Sequence, residues 1–397
     1  MKIGLYYTVS TTAAAEIANK TNIPWISKLS EMTGFEIERT DLEHINDYDM
    51  VLDFIGTGGA EGFFLQALPK LPQPVFLLTT GANNSLAASM EIVNYLRQHD
   101  IPGEIIHGSD EFVANRISQL ARVFAVKKKM NNFKIARVGK PSDWLIASDV
   151  DAQESKEING IEIIDVTMEE FLQEIRKNEY PENEYTKLIK SKGYDASEIE
   201  NALYIYGALR RIVDKYNLQG LTVRCFDLLT EVHNTGCAAL AILNAEGIYA
   251  SCEGDVPALL SMAVIGELSG KPVFMANPSQ IFTDTNEIIF AHCTLPINMP
   301  KDFTIMTHYE SQIGVAFRGT LQEGPITVFK TDGLLSEYFV SGGVLEENLG
   351  YHNLCRTQVK LKLDNPVTYF LQESIGNHHL IVEGDYVDLV NEFYKWF

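Results

Sequence analysis

The sequence has few basic residues and no long hydrophobic run. It carries 32 Lys and Arg against 53 Asp and Glu, a formal net charge of -21 over 397 residues. Binding to a nucleic-acid backbone or an anionic membrane requires clustered Lys and Arg, so this balance argues against both partners. No stretch reaches the roughly 20 apolar residues of a membrane span, and the first ten residues do not read as a signal peptide. We therefore expect a soluble, cytoplasmic protein.

The sequence also lacks the spacings of common binding motifs. Its cysteines are odd in number and form no CxxC pair, so neither a disulfide framework nor a thiolate zinc site is indicated. They are Cys225, Cys237, Cys252, Cys293 and Cys355. The glycines of "GTGGAEG" (56–62) do not fit GxGxxG with a following acidic partner, and GxxxxGK[ST] does not occur. We expect no nucleotide cofactor.

The first third of the chain alternates short apolar runs with helical patterns. "KIGLYYT", "MVLDFIG" and "PVFLLTT" are typical of buried strands, and "LAASMEIVNYLRQ" is typical of a helix. This order predicts an N-terminal α/β domain at 1–125 with a parallel sheet. Asn83, Asn84 and Ser85 follow one strand end, where such sheets bind ligands. Their short polar groups suit either a helix cap or the hydroxyl groups of a ligand.

Two further domains are predicted from the rest of the chain. The strand and helix alternation restarts after the basic stretch "VKKKMNNF", which predicts a second α/β domain at 126–295. Short alternating runs punctuated by glycine then predict a mostly antiparallel, barrel-like β domain at 296–397 that ends in a helix. The predicted fold is two Rossmann-like parallel-sheet domains followed by this β-rich domain.

Two carboxylates stand around a glycine in "GIYASCEGDVPALLSMAVIGELSG", residues 247–270. Asp255 precedes an apolar helical pattern, and Pro257 suits the first turn of a helix, so Asp255 is predicted to be an N-cap. Glu253 comes before this cap, at the end of an apolar segment in which an unpaired charge would cost much free energy. It is either a solvated loop acid or a functional carboxylate.

Other ionisable residues sit at predicted strand ends. Arg224, in "TVRCFDLL", is either part of a structural ion pair or a contact to a substrate. His292 ends the strand "NEIIFAH", and His378 and His379 open "HHLIVEGD". Each histidine is either a core residue or, together with Glu253, a ligand of one divalent metal ion.

Four segments in order resemble the metal-site segments of the L-fucose and L-arabinose isomerase superfamily. They are "CEGDVPALLSM", "GKPVFMANPS", "IIFAHCTLP" and "GNHHLIVEGD", and the chain is similar to the short fucose-isomerase-like members. The resemblance implies a metal-dependent aldose-ketose isomerase of carbohydrate metabolism, an intramolecular oxidoreductase that acts through a cis-enediolate. It also implies a sugar or sugar derivative as substrate and a homo-oligomer, either a trimer or a hexamer.

The resemblance assigns roles to single residues. Glu253 matches the first metal carboxylate and proton-transfer residue, and His292 matches a histidine of the arabinose-type enzymes. His378 or His379 matches the C-terminal metal ligand, and the spacing to "VEGD" favours His378. Mn²⁺ is the expected ion, with Mg²⁺ or Co²⁺ as alternatives.

The sequence departs from this pattern at Asn277, which stands where the isomerases have Glu or Asp. An amide oxygen can contact a metal or a sugar, but it has no accessible basic pKa and cannot accept a proton. A second acid-base group is therefore sought among other carboxylates in the chain. These are Asp255, Asp227, Glu231 and Glu310. Without one, the alternative is a carbohydrate-binding or regulatory protein on the isomerase scaffold.

Overall fold

The computed structural model describes residues 1–10 and 12–396, with side chains described outside 12–19 and 21. The chain forms two compact units, Met1–Lys128 with Glu392–Phe397, and Lys129–Asn391. The division into domains at 1–125, 126–295 and 296–397 stays a prediction.

The first unit contains a five-stranded parallel sheet in the order β2-β1-β3-β4-β5. Its elements are β1 (Ile3–Thr8), α1 (Thr12–Thr33), β2 (Ile37–Arg39), β3 (Met50–Ile55), α2 (Glu61–Ala67), β4 (Val75–Thr79), α3 (Ser85–Gln98), β5 (Gly103–Ile106) and α4 (Asp110–Met130). All six residues of β3 are buried, as expected of a parallel strand covered by helices on both faces. Phe54 packs on the face of α1 and α4, and Ile55 on the face of α2 and α3. The predicted parallel sheet is confirmed.

The second unit begins with a four-stranded parallel sheet in the order β7-β6-β8-β9. Its elements are β6 (Lys134–Val138), α5 (Ala152–Asn159), β7 (Glu162–Val166), α6 (Met168–Ile175), α7 (Glu184–Lys190), α8 (Ala196–Tyr216), β8 (Gly220–Val223), α9 (Asp227–Glu231), α10 (Cys237–Ala245), β9 (Tyr249–Cys252) and α11 (Val256–Ser269). The C-terminal ends of these strands form the edge where ligands of parallel sheets bind.

A closed antiparallel barrel follows, in the order β10-β11-β16-β15-β14-β17. The elements are β10 (Phe274–Phe282), β11 (Glu287–His292), β12 (Asp302–Met306), β13 (Ala316–Thr320), β14 (Gly324–Thr331), β15 (Tyr338–Asn348), β16 (Thr357–Leu363), α12 (Tyr369–Gln372), β17 (His379–Glu383) and α13 (Val387–Trp396). Strands β12 and β13 form a separate pair. Although β10 and β11 lie in the range predicted as the second α/β domain, they pair with barrel strands.

Helix α11 lies between the second sheet and the barrel. It contacts β8 and β9 on one side and β14 and β17 on the other. Thirteen of its 14 residues are buried, which explains a sequence that is apolar all round. The N-terminus of α11 therefore brings the end of β9 against the barrel. Within the described part of the chain, no helix has the length and apolarity needed to cross a bilayer.

Candidate functional site

The turn between β9 and α11 has an unusual backbone. Glu253 and Gly254 both have positive φ, +65° and +73°. Gly254 is required because a Cβ there would lie 2.6 Å from the carbonyl oxygen of Lys140. A left-handed conformation at a non-glycine residue such as Glu253 costs roughly 1–2 kcal/mol. Strain of this kind is retained mainly at functional sites.

The carboxylate of Glu253 is buried, with 8% of the residue exposed, and has polar partners on two sides. The indole Nε1–H of Trp144 donates to Oε2 at 2.7 Å, and Oε1 lies 3.6 Å from Nε2 of His378. The backbone oxygen accepts a hydrogen bond from the Ser142 N–H at 2.8 Å. Burial raises the pKa of Glu253, but His378 and Trp144 outweigh it, so the net pKa is lowered. Glu253 is held ionised.

Asp255 is the N-cap of α11, as the sequence predicts. Its Oδ1 accepts a hydrogen bond from the Ala258 N–H at 2.8 Å, and its Oδ2 lies 2.8 Å from Nδ1 of His378. The buried ammonium of Lys330 lies 3.9 Å from Oδ1. Burial alone would raise the pKa of Asp255. The charge of Lys330 and the contact with His378 outweigh burial and lower the pKa to about 2. One carboxylate thus caps the helix and orients an imidazole, while its predicted catalytic role stays a prediction.

His378 has one nitrogen satisfied and the other free. Nδ1–H donates to Asp255, whereas the buried Nε2 has no hydrogen-bond partner among the described residues, since 3.6 Å to Glu253 is too long. Burial lowers the pKa of His378, but the carboxylates of Asp255 and Glu253 raise it to about 9. Metal-binding histidines have this arrangement, with a carboxylate on one nitrogen and the other nitrogen directed at the ion. Because its pKa is raised, His378 carries a proton on Nε2 near neutral pH, and a divalent ion would bind there by displacing that proton.

His292 differs from His378 in having a backbone N–H rather than a carboxylate on its Nδ1. Cys252, Glu253 and His292 do offer ligand atoms within 4.8 Å of one another, and Nε2 of His292 lies 3.6 Å from Sγ of Cys252. However, Nδ1 accepts a hydrogen bond from the Thr294 N–H at 3.1 Å, which places the ring proton on Nε2. Burial, and then the charge of His378, lower the pKa of His292 to about 3, so the ring is neutral. Metal binding through Nε2 would require this proton to move.

His379 points away from Glu253. Because successive side chains of an extended chain alternate, His378, directly before β17, and His379, its first residue, face opposite sides. Nδ1 of His379 lies 3.1 Å from the carbonyl oxygen of Asn377, and Nε2 lies 3.1 Å from the Tyr369 hydroxyl. Its ring packs among phenylalanine rings of the barrel. Of the two histidines predicted for the metal, the structure brings His378 to Glu253.

Two adjoining cavities share Glu253, Asn277 and Glu310. The inner cavity is about 40 Å³ and the outer about 450 Å³. The outer one is lined by Trp144, Phe226, Glu253, Asn277, Pro278, Glu310 and Asn377. Partial burial, and then the charge of Glu253, raise the pKa of Glu310. Oδ1 of Asn277 accepts a hydrogen bond from Asn377 at 3.1 Å. A second carboxyl group is therefore present in the pocket, although Asn277 does not supply it.

All five cysteines of the chain line the inner cavity. They come from five separate segments, and all are free thiols. Cys237, Cys252 and Cys293 are buried, and Cys225 and Cys355 are partly exposed. Their positions at strand ends and at one helix start bring them together, although their spacing in the sequence shows no motif.

Arg224 is fully engaged in ion pairs. Its guanidinium group contacts Asp227 and Asp143, each at 3.0 Å at the nearest, and donates to the carbonyl oxygen of Pro141 at 2.7 Å. The structure shows the ion pair, and contact of Arg224 with a substrate stays a prediction. Its partners anchor the segment between β6 and α5, which carries Trp144.

The predicted N-terminal residues lie in the first unit. Ser85 is buried and its hydroxyl donates to the carbonyl oxygen of Ile55, while the Asn83 carbonyl oxygen accepts a hydrogen bond from the Gly58 N–H. Asn84 occupies the N-cap position of α3 with φ +55°, but its side chain makes no capping bond. The side chains of Asn83 and Asn84 are exposed. Their predicted contact with a ligand stays a prediction.

Sequence reasoning missed four side chains of the site. Trp144 follows β6, Phe226 follows β8, His308 follows β12 and Lys330 lies within β14. The first two could have been found from their places just beyond the C-terminal ends of parallel strands. Lys330 carries no comparable signal because the barrel register decides what it faces, and His308 carries none because it lies in the connection between β12 and β13.

Comparisons with known proteins point to sugar chemistry. No protein-family model matches the chain. It is 23% identical over 328 residues to the sulfoquinovose isomerases of Priestia aryabhattai and Priestia megaterium, and 24% identical over 331 residues to that of a Clostridium species. These matches cover 77% of this chain and 72–73% of the relatives. The chain is thus similar to named sugar isomerases over most of its length.

Proposed function

We propose that the protein is a metal-dependent sugar isomerase that interconverts an aldose and a ketose through a cis-enediolate. The observation that carries the proposal is the buried, ionised Glu253 beside the free Nε2 of His378, with Glu310 in the same pocket. Similarity to sulfoquinovose isomerases over 77% of the chain supports a sugar or sugar derivative as substrate. The resemblance to the fucose and arabinose isomerases supports the same reaction class.

Glu253, His378 and Asn277 offer the oxygen and nitrogen atoms that would hold a divalent ion. This mixed set suits Mn²⁺, with Mg²⁺ and Co²⁺ as alternatives. When bound, such an ion stabilises negative charge on the two reacting oxygens of the sugar. Asp255 keeps the Nδ1 proton of His378 in place, so Nε2, once its own proton is lost, would be the nitrogen available to an ion. Because the ring proton of His292 is on Nε2, His292 is better placed to donate a hydrogen bond through Nε2 than to bind the ion.

Two carboxyl groups with opposite pKa shifts divide the proton transfers. Glu253, whose pKa is lowered, is ionised and takes the proton from C2 and returns it to C1. Glu310, whose pKa is raised, keeps its proton to higher pH and moves a proton between O1 and O2. Such separation of two pKa values is how sites assign acid and base roles. Glu310 would thus replace the carboxylate that is missing at Asn277.

The alternative is a carbohydrate-binding or regulatory protein that no longer turns over substrate. The amide at Asn277 motivates it, and the presence of Glu310 in the pocket favours the enzyme. Metal-stripped protein would be incubated with a panel of aldoses that includes sulfoquinovose, L-fucose and L-arabinose, with and without Mn²⁺. We expect ketose formation only with metal. A deuterium label at C2 should leave C2 under the same condition and no other. A sugar that raises the unfolding temperature without any turnover would support the alternative.

We also propose that the protein is a homo-oligomer, a trimer or hexamer, because the resembling enzymes place their sites between subunits. Light scattering during size-exclusion chromatography would give the mass directly. A monomeric mass at micromolar concentration would contradict the proposal.

A further inference from the structure

The segment between β6 and α5 reaches over the turn that holds Glu253. The Ser142 N–H donates to the backbone oxygen of Glu253, and the Trp144 Nε1–H donates to its carboxylate. Arg224 anchors the same segment through the Pro141 carbonyl oxygen and the Asp143 carboxylate. The segment is therefore fixed at both its backbone and its side chains, and Trp144 has a defined position.

Trp144 is unusually exposed for such an anchored aromatic residue. Its relative exposure is 52%, although its indole nitrogen is bonded inside the site. The ring lines the outer cavity and packs edge-to-face with Phe226, whose ring packs in turn against His308. These rings form an aromatic wall, Trp144, Phe226 and His308, beside Glu253. Aromatic side chains that line a cavity together with a few polar groups are typical ligand contacts.

A sugar offers the chemistry that such a wall would take. Its hydroxyl groups need polar partners, whereas its C–H groups present apolar surface that packs on an aromatic ring. In the outer cavity the polar partners are Asn277 and Asn377, and Trp144 and Phe226 supply the aromatic surface. Because the Trp144 N–H is already used by Glu253, only the ring surface is left for the ligand.

We propose that Trp144 forms an apolar subsite for the carbon chain of the sugar and that its N–H simultaneously holds the Glu253 carboxylate in position. The inference rests on the proposed isomerase function and adds a residue that both binds substrate and positions the base. Ring and N–H thus contribute to different kinetic constants. Loss of the ring weakens substrate binding, and loss of the N–H slows the chemical step.

Three variants separate these two contributions. Trp144→Phe keeps an aromatic ring without the N–H, and we expect kcat to fall roughly tenfold with KM within about twofold. Trp144→Gln keeps an N–H donor without the ring, and we expect KM to rise roughly tenfold with a smaller fall in kcat. Trp144→Ala should show both effects. Ile146→Ala is the matched control, because Ile146 is 92% exposed on the same segment, and its kinetics should be those of the wild type.

Fluorescence provides a readout that does not depend on turnover. The chain has three tryptophans, and the other two, Trp25 and Trp396, lie in the first unit. We expect a saturable change in emission when an aldose is added to the metal-free wild type and to Ile146→Ala, and none in Trp144→Phe. Circular dichroism and unfolding temperature would show that each variant is folded.

The outcomes distinguish this inference from the proposed function. If the wild type isomerises a sugar while Trp144→Ala has unchanged kcat and KM, the subsite is overturned and the isomerase stands. If no sugar is turned over but the Trp144-dependent emission change appears, the isomerase fails and the subsite stands. An emission change that survives in Trp144→Phe would also overturn the subsite.

Discussion

One parallel sheet has a buried carboxylate within its central strand and the other has one just beyond its edge strand, and the pKa values of these two acids shift in opposite directions. Asp53 lies within β3 of the first unit and is 2% exposed, whereas Glu253 follows β9 of the second and is 8% exposed. Burial raises the pKa of Asp53 to about 7, against a single opposing hydrogen bond from the Thr8 hydroxyl. At Glu253 the same effect of burial is outweighed, and the pKa is lowered.

The difference lies in what surrounds each carboxylate. Oδ2 of Asp53 has no hydrogen-bond partner among the described residues. Glu253 has His378 from the barrel and Trp144 from the segment after β6, and its backbone is strained into the left-handed region. A buried acid becomes a base for catalysis only where several elements supply partners. Burial alone produces a carboxyl group that stays protonated to near neutral pH.

The largest expected effect is on kcat, and it should distinguish Glu253 from Asp53. Glu253→Gln removes the base while keeping the side-chain shape, and kcat should fall roughly 10³-fold. The paired variant Asp53→Asn should leave kcat unchanged, since Asp53 has no place in the proposed chemistry. Steady-state isomerisation of the same aldose by both variants is the measurement. Undiminished turnover in Glu253→Gln would remove it as the base.

The second expected effect concerns stability and pH at Asp53. Because the folded pKa is raised, the folded state binds the proton more tightly than the unfolded state does, so stability falls as pH rises from about 4 to about 7. The rise from 3.8 to about 7 corresponds to about 4 kcal/mol above pH 7. Asp53→Asn removes this dependence and should be more stable than the wild type at pH 8 but not at pH 4. Urea unfolding at both pH values checks it, and a difference independent of pH would contradict it.

A smaller effect is expected on metal affinity when Asp255, the neighbour of Glu253 in the second unit, is changed. Asp255→Asn retains an oxygen for the helix cap but loses the charge that holds the Nδ1 proton of His378. Affinity for Mn²⁺, measured by calorimetry, should fall roughly 10- to 100-fold. Asp53→Asn, matched in chemistry, should bind Mn²⁺ as the wild type does. Equal affinities in both variants would show that Asp255 does not support a metal ligand.

The smallest effect tests Thr8, the one hydrogen-bond partner that the described part of the chain supplies to the Asp53 carboxyl group. Thr8→Val keeps the shape of the side chain and removes its hydrogen bond to Oδ1. We expect a loss of about 1 kcal/mol in the free energy of unfolding and a further rise in the pKa of Asp53. Unfolding curves and NMR titration of the carboxyl carbon would show both. A lowered pKa in Thr8→Val would mean that Thr8 is not what limits the shift.

Sequence patterns were sufficient for the parallel sheets, the barrel and the helix cap at Asp255, because each depends on local periodicity and on a short-range hydrogen bond. The sequence alone could not decide between His378 and His379. Alternation shows that they face opposite sides, but not which of them faces Glu253. Glu310 enters the pocket from the connection between β12 and β13. That approach depends on tertiary closure, which no local spacing encodes.

The reactivity of the cysteines in the inner cavity also offers a measure of ligand binding. Since every sulfhydryl of the chain borders one cavity, a chromogenic disulfide reagent reports on that cavity alone. Cys225, which is partly exposed, should react first, because contact with Cys293 and burial raise the pKa of Cys355 and disfavour its thiolate. A ligand seated beside Glu253 would slow the release of colour in proportion to occupancy. Affinities for candidate sugars could then be read from a colour assay that requires neither turnover nor a label.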